Sequence, residues 1–227
     1  MSSQNALVRR PGRTAPPQVE KFREALKFRF PPVFRPRQSI KVGDTVIELW
    51  VSPRRMPMLF HADAMIVPVS PNLRMVSGPA KLARDAGADR VQHEALRIAP
   101  LEPGQVFVGA GARYHFKMTA LAVIFDTQKR TDASVIRQAV RNAAAACAQR
   151  GAKSVILPDF TESLLAQPNW LSEEEYRATA ETSAAALAEA ANACVGLVAR
   201  VKIWCWNDVS VGLFLRELKR IERSANH

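Results

Sequence analysis

The five residues Leu121-Ala122-Val123-Ile124-Phe125 form an unbroken apolar run, the pattern of a strand covered on both faces. Strand signals recur at Val46–Val51, Ala64–Val69, Gln105–Gly109, Lys153–Leu157 and Ala199–Trp206. Helix signals fall between them. Thr131-Asp132 supplies a capping oxygen and a first-turn acid, after which Val135, Ile136, Ala139, Val140, Ala143, Ala144 and Cys147 share one face until Gly151. Ser172-Glu173-Glu174-Glu175 is a capping box for an alanine-rich helix reaching Asn192. Asp208 caps a third helix, with Leu215, Leu218 and Ile221 inward and Arg216, Lys219, Arg220 and Arg223 outward. Strand and helix alternating in this way predict an α/β fold, a three-layer α/β/α sandwich on a mostly parallel mixed sheet.

At 227 residues and 48% hydrophobic, the chain can bury one core of average size with an extra arm. The longest apolar neighbourhood, Ala184–Ala199, is interrupted by Glu189 and Asn192, so no membrane span is expected there. With no apolar stretch following Arg9 and Arg10, no signal peptide is expected either, and the cytoplasm is the expected compartment. Cys147, Cys194 and Cys205 are scattered without C-x-x-C spacing, which reads as core filler rather than a disulfide framework or zinc site. The charge is uneven. Residues 1–41 hold ten Lys or Arg against two Glu, a surplus of eight out of the formal +11, leaving +3 for residues 42–227. The reading therefore divides the chain into a basic arm, 1–41, and an α/β domain, 42–227. Such an arm attracts nucleic acid or an acidic protein partner, and Phe22, Leu26, Phe28 and Phe30 predict a short amphipathic helix or strap over Val19–Phe30.

From Ala62 to Gly87 the chain passes from the apolar Met65-Ile66-Val67-Pro68-Val69 through Ser70-Pro71-Asn72-Leu73 and Ser77-Gly78-Pro79 into a short helix. A strand ending in a small-residue turn before a helix aims backbone N–H groups at one point, which suits an anion such as phosphate. Asp63-Ala64-Met65-Ile66-Val67, with Gly78-Pro79-Ala80-Lys81-Leu82-Ala83-Arg84-Asp85-Ala86-Gly87, resembles the D-A-I-V strand, glycine loop and following helix of the macro domains. Ala139-Val140-Arg141-Asn142-Ala143 through Gly151-Ala152-Lys153-Ser154-Val155-Ile156-Leu157-Pro158 is similar to that family's Y-R-N-A helix and S-I-A-F-P strand. The resemblance covers about residues 44–208. It implies a module for ADP-ribose or a related nucleotide, with a cleft at the carboxyl ends of the central strands between Ser70–Gly78 and Asp159–Trp170.

The chain departs from the family's pattern at its functional positions. The turn whose Asp holds adenine reads Val51-Ser52-Pro53-Arg54-Arg55, and Gly43-Asp44-Thr45, preceding the strand, reads as a plain turn. N-A-A-N is replaced by Val67-Pro68-Val69-Ser70, and the glycine-rich loop by Asn72-Leu73-Arg74-Met75-Val76-Ser77-Gly78. Arg74 offers a charge-assisted contact in place of lost amides. The second loop becomes Asp159-Phe160-Thr161-Glu162-Ser163-Leu164-Leu165-Ala166-Gln167-Pro168-Asn169-Trp170. The expected ligand contacts are Ser70, Asn72, Arg74, Ser77 and Gly78 on one side. Asp159, Phe160 and Thr161 shape the far wall, and Trp170 covers the ligand. The expectation is binding without efficient catalysis, and the activity to test is hydrolysis of an ADP-ribosyl group.

No resident cofactor and no metal are expected, since His61, His93, His115 and His227 lack ligand spacing. Ser70, Ser77 and Ser163 lack a G-x-S-x-G elbow. The Glu173–Glu175 run reads as first-turn helix electrostatics, and Trp50, Trp204 and Trp206 fall on strand signals, with core packing expected for at least two of them.

Overall fold

The computed structural model describes residues 35–52, 61–111, 116–165, 172–206 and 208–225. The described part builds one seven-stranded sheet in the order β1-β2-β7-β6-β3-β5-β4. Its strands are β1 (Gln38–Val42), β2 (Thr45–Val51), β3 (Ala64–Val69), β4 (Val106–Ala110), β5 (Met118–Val123), β6 (Ser154–Pro158) and β7 (Arg200–Cys205). The five inner strands run parallel, while β1 on β2 and β4 on β5 are antiparallel. The fold is a three-layer α/β/α sandwich on a mostly parallel mixed sheet. All six strand signals are present; Ala64–Val69 matches to the residue and the others differ at their ends by one to three residues. Gln38–Lys41, grouped with the arm by charge, are sheet residues of β1, and Gly43-Asp44 is the hairpin turn joining β1 to β2. The expected helix over Val19–Phe30 lies outside the described residues.

Alternate side chains on each strand divide between the two faces. Ile47, Leu49, Ala64, Ile66, Ala120, Ala122, Val155, Leu157, Val201 and Ile203 join one core with three long helices. Burying each Ile, Leu or Val of this set contributes roughly 1.5–3 kcal/mol. The smaller helices α1 (Gly78–Ala83) and α2 (Asp89–Ala95), separated by a wide turn at Arg84–Ala88, pack on the opposite face against β3 and β4.

The long helices begin where their capping residues stand. In α3 (Ala133–Gln149) the Asp132 carboxylate accepts from the amides of Ser134 (2.8 Å) and Val135 (3.0 Å). Helix α4 (Thr161–Leu164) is a single turn, and α5 (Glu173–Asn192) carries the expected Ser172–Glu175 capping box. Helix α5 lies between α3 and α6 (Asp208–Ala225). Its buried Ala180, Ser183, Ala184, Ala188 and Ala191 are the small residues that close approach on several sides requires. The three cysteines are buried free thiols; burial pushes Cys147 up to about 11 and Cys194 up to about 12. Trp204 is fully buried and donates to the Ser52 hydroxyl at 3.0 Å.

At the sheet's far edge, β5 bonds to residues of one parity. Val123 N donates to Gln105 O and Gly111 N to Lys117 O, which leaves the backbone of Val108 facing outward. The guanidinium of Arg150, at the end of α3, donates to the Val108 carbonyl there.

Candidate functional site

Strands β3 and β6 are neighbours, but their ladder joins only Ala64 to Val155 and Met65 to Ile156, whereas β3 pairs with β5 through all six residues. Pro68 has no N–H, so nothing at that position donates toward β6. The two halves of the sheet therefore lose their mutual hydrogen bonds toward the carboxyl ends of β3 and β6. That is where the two candidate loops leave.

The first loop spends its early amides on itself. Leu73 N donates to Ser70 O (2.9 Å), closing a tight turn, and Arg74 N donates to the Asn72 side-chain oxygen (3.2 Å). Met75 N donates to Gln92 Oε1 of α2 at 2.7 Å. Leu73 holds φ at 56°, a left-handed conformation that is costly for leucine, while its side chain and that of Met75 are fully buried. These two anchors hold Asn72, Arg74, Val76 and Ser77 at the surface. Ser77 begins α1 without using its side chain as a cap. Its hydroxyl, its amide and the amide of Val76 have no partner among the described residues.

The second loop is fixed from beneath. Asp159 is 1% exposed, and its Oδ1 accepts from Thr161 N (3.0 Å), Thr161 Oγ1 (2.6 Å) and Ser183 Oγ of α5 (3.1 Å). Its Oδ2 accepts from Ser210 Oγ of α6. One carboxylate thus ties the exit of β6 to two helices, with no face left toward solvent. Phe160 is fully buried in the core. Of the two acids in this loop, Glu162 alone has surface exposure.

The loops meet at Gly78 and Ser163. A Cβ added to Gly78 would stand 2.7 Å from Ser163 Oγ, and Gly78 holds φ at +51°. Only glycine fits that approach without displacement.

The structure therefore brings Ser70, Asn72, Arg74, Ser77 and Gly78 together at one edge, with Thr161 beside them beneath the surface. Asp159 and Phe160 lie in the layer supporting the far wall. Trp170, and Arg54 and Arg55 in the other turn, lie outside the described residues. Sequence reasoning missed Ser163 as the contact of Gly78, Gln92 as the anchor of the first loop, and Ser183 and Ser210 as partners of Asp159. The exposed groups of the first loop are mostly donors, two amides, a hydroxyl and a guanidinium, which suits an anion.

Asp63 stands at the opposite end of β3. Its Oδ2 accepts from Lys153 N (2.9 Å), Ser154 N (3.1 Å) and Ser154 Oγ (3.0 Å), and Oδ1 from Lys117 Nζ (3.2 Å). Partial burial opposes its ionisation, but the hydrogen bonds from Lys153, Ser154 and Lys117 outweigh it and hold the carboxyl below the usual value. Asp63 therefore joins strands and takes no part in the cleft. On β7, Lys202 donates to the His61 carbonyl at 2.6 Å, with its ammonium 4.9 Å from the Trp50 ring centre. Burial lowers its pKa against the opposing attraction of Glu48.

With this geometry in place, the fold is that of the macro domains. The Oceanobacillus iheyensis macrodomain with ADP aligns at a TM-score of 0.63 and 14% identity, over 82% of this chain and 97% of that one. The same protein with MES bound gives the same values. The Trypanosoma brucei macrodomain in complex with ADP-ribose aligns at a TM-score of 0.58 and 12% identity, over 76% of this chain and 68% of that one. No family model matches the sequence, and no curated protein matches it. Among the described residues, no helix is long and apolar enough to cross a membrane.

Proposed function

We propose, from a macro-domain fold shared with proteins solved holding ADP or ADP-ribose, that this chain binds ADP-ribose or a related nucleotide where β3 and β6 part. The observation that carries the reading is the meeting of the two loops at Gly78 and Ser163, beside donors that have no partner among the described residues. In this reading the phosphates lie against the amides of Val76 and Ser77, the Ser77 hydroxyl and the Arg74 guanidinium. Ser70 and Asn72 meet a ribose, Thr161 with Asp159 and Phe160 behind it forms the far wall, and Trp170 covers the ligand.

Turnover has less support. Asp159 is saturated by four donors and the first loop offers no carboxylate, so the exposed set of that loop holds no base to activate a nucleophile. Isothermal titration with ADP-ribose, NAD and mononucleotides tests the reading. Heat with ADP-ribose that falls at least tenfold in affinity in Arg74→Ala is the expected result, and no heat from the intact chain at millimolar ligand removes it. Release of free ADP-ribose from an ADP-ribosylated protein would instead establish hydrolysis.

A second reading rests on the surplus of eight positive charges in residues 1–41. In it the arm engages nucleic acid or an acidic protein, with a steep salt dependence that charge-neutral substitution of Arg9, Arg10 and Arg13 would reduce.

A further inference from the structure

The exposed face of α6 carries an ordered row of cations. Arg216, Lys219, Arg220 and Arg223 of α6 recur at helical spacing on successive turns, which places neighbours about 5–6 Å apart. Two adjoining hollows, of about 400 and 430 Å³, share Arg220 and Ser224. The first is lined by Arg216, Lys219, Arg220, Arg223 and Ser224; the second adds Arg137 of α3, with Glu189 and Asn192 of α5.

Arg216 and Arg220 each meet carboxylates at Nε and at a terminal nitrogen. Glu217, 7% exposed beneath the row, receives Arg216 Nε at 3.3 Å and Arg220 Nε at 3.0 Å. Glu181 and Glu189 approach the same two arginines at 3.9 and 3.4 Å. Lys219, Arg223 and Arg137 have no carboxylate partner among the described residues. Five cations thus face three carboxylates, and one of the three is buried under the row. Glu222, on the same helix, lines neither hollow. Lys219, Arg223 and Arg137, without a carboxylate among the described residues, are the groups that offer N–H donors to a tetrahedral anion.

We propose that this row on α6, with Arg137, binds the phosphate backbone of a nucleic acid. The row is elongated and repeats turn by turn, which fits a chain of phosphates better than an isolated one. Helix α6 also packs on β1, which carries the exposed Lys41. The assignment does not depend on nucleotide binding in the cleft.

The test follows the fluorescence anisotropy of a short labelled DNA, single-stranded and as a duplex, with the full chain and with the double variant Lys219→Glu, Arg223→Glu, over a salt series. Both positions are exposed, and circular dichroism checks that the variant is folded. The expected result is binding by the full chain, weakened more than about tenfold in the variant, with a logarithmic salt slope shallower by about two. Titration of ADP-ribose into the same variant stays unchanged. Absence of DNA binding by the full chain overturns the proposal, and so does equal binding by the variant, which would assign the contact to the arm alone. Tighter binding of polyglutamate than of either DNA also overturns it, in favour of an acidic polypeptide.

Discussion

Asp63 and Asp159 stand at opposite ends of neighbouring strands, each receiving four hydrogen bonds, yet their surroundings differ. The Asp63 side chain is 23% exposed and takes two amides, a hydroxyl and the ammonium of Lys117. Asp159 is buried and takes one amide and three hydroxyls, all of them uncharged donors. The first joins three strands at the closed end of the sheet. The second fastens a loop to two helices at the end where the strands part. Water and counterions can replace part of the Asp63 set, whereas every donor around Asp159 is left buried if the carboxylate goes.

Replacing Asp159 by Ala therefore has the largest expected effect. Stability should fall by roughly 3–5 kcal/mol, read as a lower urea midpoint, because an amide and three hydroxyls lose their acceptor in a dry site. A loss below about 1 kcal/mol would show that water reaches the site and that the two ends are alike. Gly78→Ala comes next, at about 1–2 kcal/mol, since an L side chain is strained at that φ and meets Ser163. Adding Ser163→Gly should recover part of the loss, and no recovery would mean that the backbone angle alone is responsible.

Asp63→Asn should cost about 1 kcal/mol near neutral pH, measured by thermal or urea unfolding. Its folded pKa lies below the unfolded value of 3.8, so the carboxylate stabilises fully above about pH 4 and less as pH falls through the folded pKa. The gap between wild type and variant should close on acidification, and a constant gap would remove the charge from the account. Smallest is Ser183→Ala, at about 0.5–1 kcal/mol, because Asp159 keeps its remaining donors.

Much of the scaffold was legible because its signals are local. The Leu121–Phe125 run, the Ser172–Glu175 capping box and the Gly43-Asp44 turn each lie within a few residues. Strand β1 was missed because it buries only Ile40 and is preceded by arginines that read as arm. Helix α2 begins just after Gly87, at φ 110°, with no capping side chain to announce it. At the site, the order of strands and small residues pointed to Ser70, Asn72, Arg74, Ser77 and Gly78. The role of Asp159 was not legible, since Ser183 and Ser210 lie 24 and 51 residues away. An acid in that loop looks the same on paper whether it meets solvent or three hydroxyls.

The bond from Arg150 to the Val108 carbonyl bears on how this molecule behaves in a crowd. An outermost strand with bare main-chain groups invites a second molecule to add its own strand, and repetition of that step grows fibres. A bulky cation seated midway along the rim interrupts such stacking by bulk and by charge repulsion between copies. Concentrated solutions of an Arg150→Ala protein would be the place to look for turbidity that the parent does not develop.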